Sequence, residues 1–516
     1  MSAEFWSLLA LVLLAPVVAA AAPAGQVVIA QGVDPTTLDV MNQTEMPSAV
    51  VGLHIFEGLL ERDAALKIVP LLAASLPRLV TPTTWEVRLR TGVRFHNGED
   101  FDAASAKFSL ERAKSGLRTS NAFRFIDRVE ILDPHTVHVH TTQPWPTFMA
   151  TMTLASAAMY PAREYMGKDT VAISRKPIGS GPYRFVRWVR DDELVLEASS
   201  DYWRGVPAIK TVIFRAIPDD GARVAALQSG EVDVAVNIPP HLAATIESHR
   251  RVFLTSAPSI RTIQLMFYSH QFDDKHALLG PYHGPTADRR VRQAITSAID
   301  ADAIVRSVLD GRAMRIATLL TPMHFGFDPQ LKPATHDAAR ARRLLAEAGY
   351  PGGLEITLNG PRGRYVRDTE VMEAIAGQLA RTGIKTTVRS FEFVTYTNSM
   401  VSTHRAGPVW LLGWGTPILD AEAVYGPLFR AGRIQSNYFS ADLERLMDEA
   451  QTTLDEARRR QQYQRINQLL LDDAAAVPLY QQVDLSGVNR RLSWTARSDE
   501  LIKAFDMRIV SSANRR

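Results

Sequence analysis

The stretch from Pro177 to Asp220 constrains the fold most. Gly179 and Gly181 flank Ser180, so the backbone there is free to approach another segment closely. Tyr183, Phe185 and Trp188 then mark a half-buried strand. A charged turn at residues 191–193 and the alternating Leu194 and Leu196 turn that strand back as a hairpin. Asp201-Tyr202-Trp203-Arg204-Gly205 closes a second turn, and residues 209–214 supply another strand. The segments before and after this stretch read as two lobes served by one scaffold.

The helices are legible downstream. Val291, Ala294, Ile295, Ala298 and Ile299 follow the 3, 4, 7 spacing of an amphipathic helix, and Asp300 or Asp302 caps the next one, which Gly311 ends. Asp337 caps residues 338–349, strand residues 354–358 follow, and a helix over 370–382 with a strand over 385–389 completes a βαβ-like unit. Upstream, residues 49–60 place Val50, Leu53, Phe56 and Leu60 on one helical face, with His54 and Glu57 at the surface or rim. Arg94-Phe95-His96-Asn97-Gly98-Glu99 contains Asn-Gly, a strong hairpin signal, and His96 reads as structural. Ser440 caps a helix over 442–454, and a second amphipathic helix covers 456–471.

The 516 residues allow two or more cores, and 46% apolar with 22% charged residues describes a globular chain. A net charge of +3 gives no basic stripe, which argues against a nucleic-acid partner. Cysteine is absent, which removes disulfides, thiolate metal sites, cysteine nucleophiles and a lipidated cysteine together. Residues 5–22 are apolar apart from Ser7 and end in four alanines, the pattern of a cleaved signal peptide over residues 1–22. An exported chain with no lipid anchor fits a periplasm.

Three blocks in order, Gly179-Ser180-Gly181-Pro182-Tyr183, Asp201-Tyr202-Trp203-x-Gly205-x-Pro207 and Gln228-Ser229-Gly230-Glu231-Val232-Asp233, resemble the family 5 extracellular solute-binding proteins of peptide, glutathione and nickel ABC importers. The FHNGE block and the Val291-Arg292-Gln293-Ala294-Ile295 block extend the resemblance from about Val27 to about Asp506. It implies an α/β, two-lobed Venus-flytrap fold with an extra subdomain in lobe I and two interlobe crossovers. Lobe I would span residues 23–266 plus 478–510, with the subdomain at about 61–170, and lobe II residues 267–477. The implied function is capture of a peptide-like small solute between the lobes by hinge closure and delivery to permease subunits in the inner membrane, by a monomer with no cofactor.

The same resemblance marks ligand-contact candidates. Asp34 lies in a loop after the first strand, where a turn cap is the plainer reading. Arg362, Arg364 and Tyr365 lie in a loop at a strand's C-terminal end, where an arginine could hold a ligand carboxylate. Trp410, Trp414, Thr416 and Asp420 lie in or after the apolar strand over 409–415. Dipeptide and oligopeptide binders carry an aspartate three residues after the matching tryptophan; this chain has Pro417, and Asp420 is the nearest substitute for holding an amine.

Other chemistry is sparse. No G-x-S-x-G, H-E-x-x-H, phosphate-loop or dinucleotide motif occurs, so a secreted hydrolase is a remote alternative and no enzyme is expected. His138 and His140 share a strand face, as metal ligands can, but no third ligand of suitable spacing lies nearby in sequence. The run Trp414-Gly415-Thr416-Pro417 resembles the nickel binders and keeps a metal-complex-binding subtype open.

Overall fold

The computed structural model describes residues 25–43, 45–115, 117 and 119–510; the expected signal segment lies outside them. Its central sheet has eleven strands: β1 (Gln26–Gln31), β2 (Tyr183–Val189), β3 (Glu193–Ala198), β4 (Thr211–Ala216), β5 (Val234–Ala235), β6 (Val252–Phe267), β7 (Ala313–Arg315), β8 (Leu354–Arg362), β9 (Ile384–Glu392), β10 (Val409–Trp414) and β11 (Ala476–Asn489). The order is β9-β8-β10-β6-β11-β5-β1-β4-β3-β2, with β7 paired to β11. The mixed α/β architecture expected from the sequence is therefore present.

β6 and β11 are far longer than their neighbours and run antiparallel through the middle of this order. Their first stretch pairs Val252–Pro258 with Val483–Asn489, and a second pairs Thr262–Met266 with Ala476–Gln481. Between Pro258 and Thr262 the register shifts, because three residues of β6 face a single residue, Gln482, of β11. Such an irregularity interrupts the ladder and lets a sheet bend. On one side, called lobe I, apolar side chains of β1–β5 pack with the tail residues Trp494, Ile502 and Met507. On the other, lobe II, β8–β10 pack against the helices Arg289–Ala298 and Asp368–Ala380 and against Ala421–Phe429 and Ala441–Thr452.

Lobe I also carries a four-stranded sheet in the order Arg78–Thr81, Thr84–Arg88, Thr136–Thr141, Ile126–Asp133. The β2–β3 hairpin forms as its alternation predicts. The glycines before it are required by contact: a Cβ on Gly179 would lie 2.0 Å from the Ile55 carbonyl oxygen, and one on Gly181 2.6 Å from that of His54. His96 is structural, its Nε2 bonded to the Gly181 carbonyl at 2.9 Å.

One expectation is corrected. The helix over 49–60 ends at Ile55, and Leu60 belongs to the strand Leu60–Arg62. His54 and Glu57, expected at the rim, are buried. Both are buried with partners, as such groups must be: His54 Nδ1 bonds the Val50 carbonyl and its Nε2 accepts the Ala504 amide. Glu57 accepts from Tyr202 (2.7 Å), Ser180 (2.9 Å) and Trp203 (2.9 Å). All three donors come from the blocks that opened the sequence reading.

Candidate functional site

The irregular segment of β6 lies beside a group of charges. Arg261 donates to both oxygens of Glu500 at 3.2 Å, and the Ser259 hydroxyl donates to the same carboxylate at 2.8 Å. Across the crossover, Gln482 donates to Asp484 at 2.6 Å, while Asp484 Oδ2 is buried with no hydrogen-bond partner. Burial, reinforced by the charge of Glu500, pushes the Asp484 carboxyl above the usual carboxylate range. Burial acts on Glu500 too, but Arg261 and Ser259 outweigh it and hold its pKa down. Two carboxylates and two nearby arginines thus gather where the sheet can bend.

The second arginine is Arg364, and its loop is built by one carboxylate. Asp368, at the start of the helix Asp368–Ala380, accepts the backbone amides of Gly363 (3.1 Å), Arg364 (2.9 Å), Tyr365 (3.1 Å) and Thr369 (2.9 Å). A carboxylate saturated with amides fixes the loop at the C-terminal end of β8. Tyr365 is buried, and its hydroxyl donates to the Gly413 carbonyl at 3.2 Å. Gly413 must be glycine: a Cβ there would lie 2.5 Å from the Tyr365 ring. Arg364 keeps solvent access and lies over the Tyr365 and Phe393 rings at 5.5 and 5.0 Å. The surrounding protein, and then the like charge of Arg261, lower its pKa. Among the described residues neither Arg364 nor the exposed Arg362 has an ion-pair partner.

The β10 end completes this wall. Trp414 is half-buried and donates its indole N–H to the Ala423 carbonyl at 3.0 Å. Thr416 accepts the Ile418 amide at 3.3 Å and shapes the following turn. Lobe I reaches this turn through Arg62, which donates Nε to the Pro417 carbonyl at 3.0 Å and Nη2 to that of Ile418 at 2.7 Å. Burial lowers the Arg62 pKa to about 10, still leaving it charged at neutral pH. Arg124 of lobe I adds a looser approach of 3.9 Å to Glu422. A cavity of 530 Å³ lies on the lobe I side of the Arg62 contact, walled by Leu60, Tyr202, Trp494 and Phe505 and reaching Pro417.

The remaining candidates have other neighbours. Trp410 is 1% exposed inside the lobe II core, on the strand face shared with Leu412. Asp34 accepts the Trp188 indole at 2.9 Å and the Asp191 amide at 3.1 Å, tying the loop after β1 to the hairpin tip. Asp420 forms two 2.7 Å bonds with Arg459 and caps the helix Ala421–Phe429. Of the candidates, Arg364 and Tyr365 lie within electrostatic reach of Arg261 at the crossover, Trp414 and Thr416 shape the turn that Arg62 contacts, and Arg62, Arg261, Asp484 and Glu500 are residues that local sequence signals do not mark.

Two separately packed lobes, joined by paired strands with an irregular register and touching through Arg62 and the turn after Trp414, are the architecture of a two-lobed binding protein. The model of the bacterial extracellular solute-binding proteins, family 5 (middle segment), matches residues 67–436, and the chain belongs to that family. It is 28% identical over 485 residues to the glutathione-binding protein GsiB of Escherichia coli O1:K1, covering 91% of each chain. It is 30% identical over 420 residues to GsiB of Pectobacterium atrosepticum, covering 78% of this chain and 77% of that one. Among solved structures, the ABC transporter substrate-binding protein CtaP of Listeria monocytogenes superposes with a TM-score of 0.83 at 21% identity, over 95% of this chain and all of that one. The dipeptide-binding protein of Pseudoalteromonas sp. SM9913, in complex with Met-Leu, gives 0.81 at 19%, over 94% of this chain and all of that one. Among the described residues no helix is long and apolar enough to cross a membrane.

Proposed function

We propose that this chain is the periplasmic substrate-binding component of an ABC importer, capturing a peptide-like small solute between its lobes and delivering it to permease subunits of the inner membrane as a monomer. The observation that carries the reading is the crossover. β6 and β11 join two separately packed cores through an interrupted ladder, and the lobes contact each other through Arg62 and the turn after Trp414. A solute that touches both lobes binds the closed arrangement better and shifts the population toward it. We assign lobe I to residues 23–266 plus 478–510, with its subdomain at about 61–170, and lobe II to 267–477.

Within the cleft, Arg364 is the group for a solute carboxylate, being accessible, positively charged and free of a carboxylate partner. Trp414 supplies an apolar wall. With Asp420 engaged by Arg459 and Pro417 in place of a carboxylate, an α-amino group would meet Asp484 or Glu500 instead. Glutathione, which the GsiB relatives are named for, carries both carboxylates and an amine.

Native mass spectrometry of the protein purified without refolding, followed by isothermal titration with glutathione and a di- and tripeptide panel, tests this. One tightly bound solute with free carboxylate is expected, weakened about 10- to 100-fold by Arg364→Met, the worth of one charge-assisted hydrogen-bond pair. No saturable binding across the panel, or binding indifferent to Arg364→Met, refutes the peptide-like reading. A metal complex carried through purification would replace it.

A further inference from the structure

The small sheet of lobe I has two unlike faces. Its strand Thr136–Thr141 lies between Thr84–Arg88 and Ile126–Asp133. Val137 and Val139 point inward with Trp85 and Val87 and are buried in the lobe I core. His138 and His140 therefore share the outer face. The ladder sets Glu86 and Glu130 on either side of His138, and Thr84 and Arg128 on either side of His140. The third ligand that sequence spacing does not offer is supplied across the ladder.

We propose that Glu130, His138 and His140 form a binding site for a borderline divalent transition-metal ion, Zn²⁺, Ni²⁺ or Cu²⁺. One donor atom from each lies within 4.8 Å of the other two. The imidazole rings are 6.1 Å apart at an interplanar angle of 77°, so they converge without stacking. Metal–nitrogen bonds of about 2.0–2.1 Å set tetrahedral donors about 3.3 Å apart, which small side-chain rotations reach from here. Two imidazoles and a carboxylate suit these ions and not Ca²⁺ or Mg²⁺, which take oxygen ligands.

Two independent details point to a ligand. The Nε2 of His138 is buried and has no hydrogen-bond partner; the nearest carboxylate on its other flank, Glu86, is 3.6 Å away and already paired with Arg78 at 3.0 Å. His140 is oriented from behind, its Nδ1 3.2 Å from the Thr84 hydroxyl. Without a metal, Nε2–H donates to Glu130 Oε2 at 2.8 Å and Nδ1 accepts from the Thr84 hydroxyl; a metal ion bound at Nε2 would displace that proton and shift the ring to the tautomer whose Nδ1–H donates to Thr84. A metal ion would take the place of that contact and satisfy His138 as well. Three protein ligands on a sheet face leave the remaining position to water.

The test is a titration of the untagged chain, from residue 23 on, with Zn²⁺ and separately with Cu²⁺. The expected result is one equivalent bound, a Cu²⁺ spin-resonance signal split by two nitrogens, and a melting temperature raised by Zn²⁺. His138→Gln and His140→Gln abolish all three, Glu130→Gln weakens binding at least tenfold, and Thr84→Val weakens it about tenfold by freeing the His140 ring. His241→Ala, on the exposed face of the helix Pro240–Glu247, serves as control and leaves binding unchanged. Metal-free melting temperatures equal to wild type show that the glutamine variants are folded. No saturable binding, or one equivalent retained by the His138→Gln/His140→Gln double variant, overturns the proposal.

Discussion

Glu57 sets a pH dependence that can be isolated by one substitution. Burial pushes its pKa from 4.5 to about 7, against the hydrogen bonds from Trp203, Tyr202 and Ser180. Below pH 4.5 the group is neutral in folded and unfolded chains alike, and its contribution is whole. As pH rises toward 7 the unfolded chain gives up the proton first, so stability falls. The gap between the two pKa values is worth about 3 kcal/mol once pH passes 7, and about 2.5 kcal/mol of it is lost between pH 5 and 8. Three histidines oppose this trend. Burial holds His54, His96 and His324 down to about 4 from 6.5, so each withdraws stability as pH falls through that window. The wild-type profile alone is therefore a sum of opposing slopes. Glu57→Gln, close in shape to the neutral carboxyl and uncharged at any pH, removes only the Glu57 part. Urea titrations of both proteins at pH 5, 6, 7 and 8, followed by tryptophan fluorescence, should show the variant gaining about 2.5 kcal/mol on wild type from pH 5 to 8. Parallel profiles would refute the account of Glu57 as a carboxyl kept neutral by burial.

Three further outcomes follow from the geometry. Arg62→Ala removes both direct hydrogen bonds from lobe I to the Pro417–Ile418 backbone; small-angle scattering should show the open form gaining about tenfold on the closed one, and an unchanged radius of gyration would mean that these bonds do not bias closure. Asp420→Asn strips the charge partner from buried Arg459 and should cost about 3–5 kcal/mol, read as a lowered melting temperature of lobe II; an unmoved transition would show the pair to be dispensable. Gly181→Ala forces a Cβ against the backbone of His54 and Ile55. It should reduce soluble yield, whereas the same change at Gly205, φ +99° with open space around the Cβ position, should cost only its backbone strain.

What the sequence reveals of this molecule divides by distance along the chain. Caps close to their helices are visible: Asp300, Asp337 and Ser440 each accept the expected amide at the helix start. The close approach at Gly179 and Gly181 is visible too, although not what they approach. Periodicity fails at His54 and Glu57, since a helical wheel treats polar residues as outward and cannot foresee donors from residues 180, 202 and 203. Trp410 shows the same limit: an aromatic in a buried strand lies on one of two covered faces, and neither faces solvent. At the cleft, Asp420 looks available until Arg459, thirty-nine positions later, is folded onto it. Glu130 sits eight residues before His138, and only the strand pairing makes the two neighbours. Arg62, Glu500 and Asp484 come from separate elements and meet the crossover region only through tertiary structure.

The pairing of β6 with β11 also determines when each half of the protein can be finished. The first part of β6 and one edge of β5 find their partners only in residues 483–489, and the core of lobe I is closed by Leu492, Trp494, Ile502 and Met507. A chain emerging from the ribosome therefore holds an incomplete lobe I, with sheet edges and apolar side chains uncovered, until residues 483–507 are made. Lobe II, except for the β11 strand, lies wholly inside that interval. Contacts between residues this far apart make folding slow and keep the unfinished chain open for a long time. Delayed completion thus leaves the half-made chain extended and able to be threaded until residues 483–507 close lobe I.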